Sequence, residues 1–135
     1  MTSHKKRVLV VDDEMNIRLF LKTLLETSGY SPHLAKNARE GLEMALELKP
    51  DLIILDVMMP GEGGLVMYQG LQEDEKLKKV PVIMLSAVGA ATFKHALKIM
   101  GIGKSNYPDP FAYVQKPPKV EEIKNIIDHA LKAAT

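Results

Sequence analysis

Val8-Leu9-Val10-Val11-Asp12-Asp13 decides how this chain is read. A short apolar run rich in β-branched residues, with no alternation, describes a strand buried on both faces. A second run of the same kind, Leu52-Ile53-Ile54-Leu55, leads into Asp56. In an open α/β sheet, ligands bind outside the carboxyl ends of the strands, where the strand order reverses. Two neighbouring strands would bring three carboxylates to that edge. Carboxylates packed together raise one another's pKa, so such a cluster calls for a cation. Oxygen-only ligands suit a hard ion, Mg²⁺ above all. This is the beginning of a phosphoryl-transfer site.

Working outward, strand-like and helix-like segments alternate five times, the pattern of a parallel sheet with crossover helices. Strand one covers about Arg7 to Val11. Helix one presents Ile17, Phe20, Leu21, Leu24 and Leu25 on one face, and Gly29 closes it. A weak strand from Pro32 to Ala35 belongs near an edge, because proline cannot donate to a ladder. Asn37 with Glu40 reads as an N-cap pair opening helix two, and Leu52 to Leu55 is strand three. Pro60-Gly61-Glu62-Gly63-Gly64 is a turn, with helix three starting near Gly64 or Leu65. Strand four runs from Pro81 to Leu85 and ends at Ser86. Helix four spans Ala90 to Met100, and strand five Phe111 to Gln115. The last helix buries Val120, Ile123, Ile126, Ile127, Ala130 and Leu131.

The bulk properties narrow the function. A chain of 135 residues is one domain's worth, here expected as a single unit over 1–135 with a core of about 6–133. With 46% hydrophobic and 26% charged residues, the composition is that of a soluble globular protein. A net charge of +1 gives no global field for nucleic acid or an acidic membrane. The absence of cysteine excludes disulfides, thiolate catalysis and Cys-based zinc sites. No apolar stretch approaches a membrane span, and Val8 to Val11 is too short for a signal-peptide core. A cytoplasmic protein is expected.

Four strand ends therefore supply chemistry at one edge: Asp12 and Asp13, then Asp56, Ser86 and Lys116. Phosphoryl transfer needs a nucleophile, a metal to bridge oxygens, and hydroxyl or cationic donors for the remaining oxygens. Any one of these residues alone is an ordinary cap or turn; their joint placement points to chemistry.

Val10-Val11-Asp12-Asp13-Glu14, Leu55-Asp56-Val57-Met58-Met59-Pro60 with Gly64, Ser86-Ala87, and Tyr113 before Lys116-Pro117 resemble the receiver domain of bacterial two-component response regulators. The likeness covers nearly the whole chain, in the manner of stand-alone, chemotaxis-regulator-like receivers. It implies an α/β, flavodoxin-like fold: a doubly wound five-stranded parallel sheet of order 2-1-3-4-5 with five flanking helices. It also implies that Asp56 accepts a phosphoryl group from a histidine kinase or a histidine phosphotransfer protein, and that the phosphorylated form switches binding to a downstream protein target.

By position, the resemblance makes Asp13 and Asp12 the acidic pair that holds Mg²⁺, Asp12 through water, with Asp56 and the Met58 carbonyl completing the protein ligands. Ser86 and Lys116 would bond phosphoryl oxygens, beside the small Ala87. Ser86 and Tyr113 would form the conformational switch. The resemblance also implies a cis Lys116-Pro117 bond, which an X–Pro pair tolerates at only ~0.5–1 kcal/mol. It implies no turnover enzyme, since such a domain catalyses only its own phosphorylation and dephosphorylation. Homodimerisation stays open.

Other features read plainly. His4, His33, His95 and His129 share no ligand-like spacing and are expected at the surface. The methionines are expected mostly in the core, and Glu73 to Lys79 as a solvated helix end or loop. The chain departs from the family in the distance of twelve residues from Gly101 to Tyr113. The surplus around Lys104-Ser105-Asn106-Tyr107-Pro108-Asp109-Pro110 is expected over the face used for signalling or dimerisation. A surface insertion costs little in stability, so decoration and partner recognition both stand as readings.

Three rival functions remain. A degenerate receiver acting without phosphorylation would not need the complete site. An aspartate-nucleophile phosphatase of the haloacid dehalogenase kind would show Asp-x-Asp, whereas Asp56-Val57-Met58 lacks the second acid. A nucleotide-binding domain would show a glycine-rich loop after strand one, which is absent.

Overall fold

The structure is a computed structural model that describes residues 4–58, 63–99 and 108–133. Strands β1 (Arg7–Val11), β2 (Ser31–Ala35), β3 (Leu52–Asp56), β4 (Val82–Ser86) and β5 (Ala112–Gln115) form one parallel sheet of order β2-β1-β3-β4-β5. Between and after them run α1 (Met15–Thr27), α2 (Ala38–Leu48), α3 (Gly64–Gln72), α4 (Ala90–Ile99) and α5 (Val120–Ala133). This is the doubly wound, flavodoxin-like arrangement that the alternating pattern predicts.

The two-residue period of a strand divides the apolar runs between two cores. Val8, Val10, Leu52, Ile54, Ile83 and Leu85 pack with Leu21, Leu25, Ile123 and Ile127 of α1 and α5. Leu9, Val11, Ile53, Leu55, Val82 and Met84 pack with Ala38 and Ala45 of α2 and Met67 and Leu71 of α3. Each fully buried aliphatic side chain contributes roughly 1.5–3 kcal/mol of burial. Leu25→Ala would cost about 2–5 kcal/mol, because the sheet and α1 cannot both close on the void.

Local signals explain the element ends. Gly29 takes a positive φ of 89°, and the chain leaves α1 there. Asn37 caps α2, its Oδ1 accepting from Glu40 N–H at 2.8 Å; the Glu40 carboxylate reaches back to Lys36 N–H at 3.2 Å. β2 lies at the sheet edge, where its proline is tolerated.

Several expectations need correction. Val120, placed on the buried face of α5, is 51% exposed because it opens the helix ahead of the packed turns. Met15 and Met58 are both exposed, while Met67 and Met84 fill the core. His33 is half-buried, with Nε2 3.2 Å from Ser31 Oγ; His4, His95 and His129 are exposed. The run from Glu73 to Lys79 contains a short 3-10 turn, Leu77–Lys79, whose Leu77 is buried. Asp74 organises it by accepting from Lys76 and Leu77 N–H groups at 2.9 and 3.0 Å. The expected turn at Pro60 to Glu62, the end of helix four at Met100, and positions 101–107 of the insertion lie outside the described residues.

Candidate functional site

Strand register assembles the site. Val11 pairs with Leu55, so Asp12 and Asp56 leave adjacent strands at the same level. Asp56 pairs with Leu85, setting Ser86 one step further, and Ser86 pairs with Gln115, setting Lys116 one step beyond that. The Lys116 N–H donates to the Ser86 carbonyl at 2.7 Å and prolongs the ladder. The Lys116-Pro117 bond is cis.

The side chains converge. Asp12, Asp56 and Ser86 are buried, whereas Asp13 is exposed. Carboxylate oxygens of Asp12, Asp13 and Asp56 all lie within 4.8 Å of one another. The Lys116 ammonium is 2.9 Å from Asp12 Oδ2, 3.0 Å from Asp56 Oδ2 and 3.5 Å from Glu14 Oε1. Asp56 Oδ1 accepts from Met58 N–H at 3.0 Å, and Asp12 Oδ1 from Glu14 N–H at 2.9 Å. Ser86 Oγ accepts from Val88 N–H at 3.2 Å.

Two buried acids share one principal cation, and the electrostatics follow. Burial pushes the Asp12 carboxyl above its ordinary value, with Asp56 adding to the rise and Lys116 and the Glu14 N–H opposing it. Burial works to lower the Lys116 pKa, but its close contacts with the Asp12 and Asp56 carboxylates together hold it above the usual lysine value. Asp12 Oδ2 is buried without a hydrogen bond of proper geometry, its approach to Lys116 being a charge contact. An anionic oxygen in that condition, close to two further carboxylates, fits a hard divalent cation.

Some contributors were not singled out from the sequence. Arg18 Nη1 donates to the Asp12 carbonyl at 2.8 Å and fixes the turn that carries both acids. Glu14, read only as part of its motif, reaches Lys116. Their spacing of four on the first turn of α1, directly after the acidic pair, was the available signal. Gly64 packs against the end of β3: a Cβ there would collide with the Asp56 carbonyl oxygen and lie 2.8 Å from Val57 Cα.

Tyr113 stands on β5 apart from the acids. Its hydroxyl donates to Asp109 Oδ1 at 2.8 Å, and Lys94 Nζ lies 5.3 Å from its ring centre. Burial first, then the bond and charge of Asp109, push its pKa up. The Tyr68 hydroxyl donates to the Pro108 carbonyl at 2.7 Å, and Pro110 is buried. The described end of the insertion is thus pinned to α3 and β5 rather than hanging free.

The family model for the response regulator receiver domain matches residues 8–128. The polar-differentiation response regulator DivK of Brucella anthropi is 32% identical over 130 residues, spanning 93% of this chain and 98% of that protein. The phosphate regulon transcriptional regulatory protein PhoB of Pseudomonas aeruginosa is 36% identical over 102 residues, or 76% of this chain and 44% of PhoB. Among solved structures, the chemotaxis response regulator CheY4 of Vibrio cholerae superposes with a TM-score of 0.80 at 27% identity, covering 94% of this chain and 99% of that one.

Proposed function

Since this chain belongs to the response regulator receiver domain family of two-component signalling, we propose that it acts as one phosphorylatable receiver unit with Asp56 as the phospho-acceptor. The observation that carries this reading is the buried Asp56 carboxylate set between Lys116 and the acids of β1. An Asp56 oxygen attacks the phosphorus of the donor; the bond from phosphorus to the donor breaks, and its electron pair leaves with the donor. The product is an acyl phosphate on Asp56.

The acids Asp12, Asp13 and Asp56 would hold Mg²⁺, with the Met58 carbonyl as the further protein ligand that the family resemblance implies. Such an ion would supply positive charge to offset that of the acids and of an incoming phosphoryl group. Lys116 supplies a second positive charge for the phosphoryl group, and the Ser86 hydroxyl a hydrogen bond. Met58 N–H orients the nucleophile by holding Asp56 Oδ1. Movement of Ser86 toward the phosphoryl group would be relayed to Tyr113 and change the surface offered to a protein target. A histidine kinase or phosphotransfer protein is the expected donor. No helix among the described residues is long and apolar enough to cross a membrane.

Intact mass spectrometry tests the assignment. Wild-type protein incubated with Mg²⁺ and a small acyl phosphate should gain one phosphoryl group, and Asp56→Asn should gain none, because an amide is not a carboxylate nucleophile. Equal labelling of both proteins would sink it.

A further inference from the structure

Among the described residues, Glu14 is the carboxylate that touches Lys116 yet stands outside the acidic trio. Lys116 Nζ is 3.5 Å from Glu14 Oε1, while its other two acidic neighbours, Asp12 and Asp56, both belong to the trio. Glu14 occupies the N-cap position of α1 but makes no side-chain capping bond, so its carboxylate is not committed to the helix. It is also 57% exposed, at the mouth of the site, whereas the Lys116 side chain is only 9% exposed.

A divalent ion set among the carboxylates of Asp12, Asp13 and Asp56 would bring a second cation against an ammonium that lies 2.9 Å from Asp12 Oδ2 and 3.0 Å from Asp56 Oδ2. Like charges that close in a desolvated site repel strongly. The ammonium must withdraw, and a buried-stem lysine that withdraws without a partner leaves a charge poorly compensated. Glu14 is the contact it can keep.

We infer that Glu14 is a positioning residue for Lys116, retaining the ammonium at the mouth of the site when the cation engages the acids. This rests on reading Asp12, Asp13 and Asp56 as the Mg²⁺ site. Glu14 thereby lowers the competition between lysine and metal and keeps the lysine within reach of an incoming phosphoryl oxygen. With Glu14 neutralised, Lys116 stays on Asp12 and Asp56 and opposes the ion.

A double-mutant cycle read by calorimetric Mg²⁺ titration decides the point, because it isolates what the two residues do together. In the presence of Lys116, Glu14→Gln should weaken Mg²⁺ binding by about three- to tenfold. In a Lys116→Ala background the same change should weaken it by less than about twofold, since no ammonium remains to be displaced. Glu14→Asp, which keeps the charge, should restore most of the affinity. Equal losses in the two backgrounds would mean that Glu14 acts on the ion only through its own charge, and would overturn the inference. Asp13→Ala is titrated alongside. Unchanged affinity there would remove the metal reading itself, whereas lost affinity without coupling between Glu14 and Lys116 would remove only the role of Glu14.

Discussion

Lys116 approaches Asp12 at 2.9 Å without forming a hydrogen bond of proper geometry to it. The same ammonium also serves Asp56, so one positive charge faces two buried negative ones. Charge burial of that kind is destabilising unless it is fully compensated. The protein holds the arrangement because the surrounding strands are apolar and fixed.

Asp12→Asn should therefore stabilise the metal-free protein. The amide oxygen can still accept from Glu14 N–H. With the amide NH2 turned toward it, the ammonium keeps Asp56 and Glu14, while one of two competing negative charges disappears. A gain of about 1 kcal/mol, or about 3–5 °C in melting midpoint, is expected. Mg²⁺ affinity should fall at the same time. An unchanged or lower midpoint in metal-free buffer would show that Lys116 satisfies both acids.

Metal affinity should separate the other site residues. Asp13→Ala removes the exposed carboxylate of the acidic trio and should weaken Mg²⁺ binding about tenfold or more, the equivalent of roughly 1.4 kcal/mol. Ser86→Ala should change it little, because the hydroxyl carries no charge. Lys116→Ala should bind the ion at least as tightly as wild type, since a neighbouring cation is gone. Calorimetric titration showing loss of Mg²⁺ binding in Lys116→Ala would reverse these roles.

The lifetime of the acyl phosphate should be long. Met58 and Val88 follow Asp56 and Ser86 by two positions, and neither side chain can hydrogen-bond an attacking water. Met58 is 61% exposed, so a polar replacement there meets solvent at the site rim. Met58→Asn should shorten the lifetime severalfold, measured by loss of phosphoprotein on intact mass spectra. Identical decay in Met58→Asn and Val88→Asn would remove this argument.

Alkaline stability should depend on Tyr68. This buried phenol donates to the Pro108 carbonyl, and burial, aided by the Asp109 charge, pushes its pKa up to about 12. A tyrosine whose folded pKa lies above its unfolded value contributes stability below pH 10 or so, lost as pH rises toward 12. Tyr68→Phe should flatten that decline and cost about 1 kcal/mol at neutral pH, because Pro108 loses its donor. Melting curves of both proteins across the alkaline range check this. Parallel declines would assign the loss to other groups.

The sheet and the gathering of Asp12, Asp13, Asp56 and Lys116 were legible because parallel strands buried on both faces leave unbroken runs of Val, Ile and Leu. Position at a strand end then carries directly into position at the site. Val120 was misread because helical periodicity says which face a residue shares, but not where along the helix packing begins. Leu77 was hidden in a charged run whose turn depends on Asp74 accepting two backbone N–H groups. Tyr68 holding Pro108 was out of reach because it joins residues forty positions apart. Arg18 and Glu14 were visible as residues but not as contacts, since the angle between α1 and the end of β1 decides what they touch.

The cation hangs from the outermost strand. β5 has only β4 beside it, and it is clamped at its two ends, where Phe111 N–H meets the Val82 carbonyl at 2.8 Å and Lys116 N–H meets that of Ser86. The acids, by contrast, follow β1 and β3, two of the three interior strands. Peeling of the margin would carry off the positive half of the site and leave the negative half standing. Margins open at lower free energy than interiors, so the two halves should have separate lifetimes, visible as faster amide exchange in β5 than in β1 and β3. Whatever seals that rim against a partner would then also fasten the lysine in place.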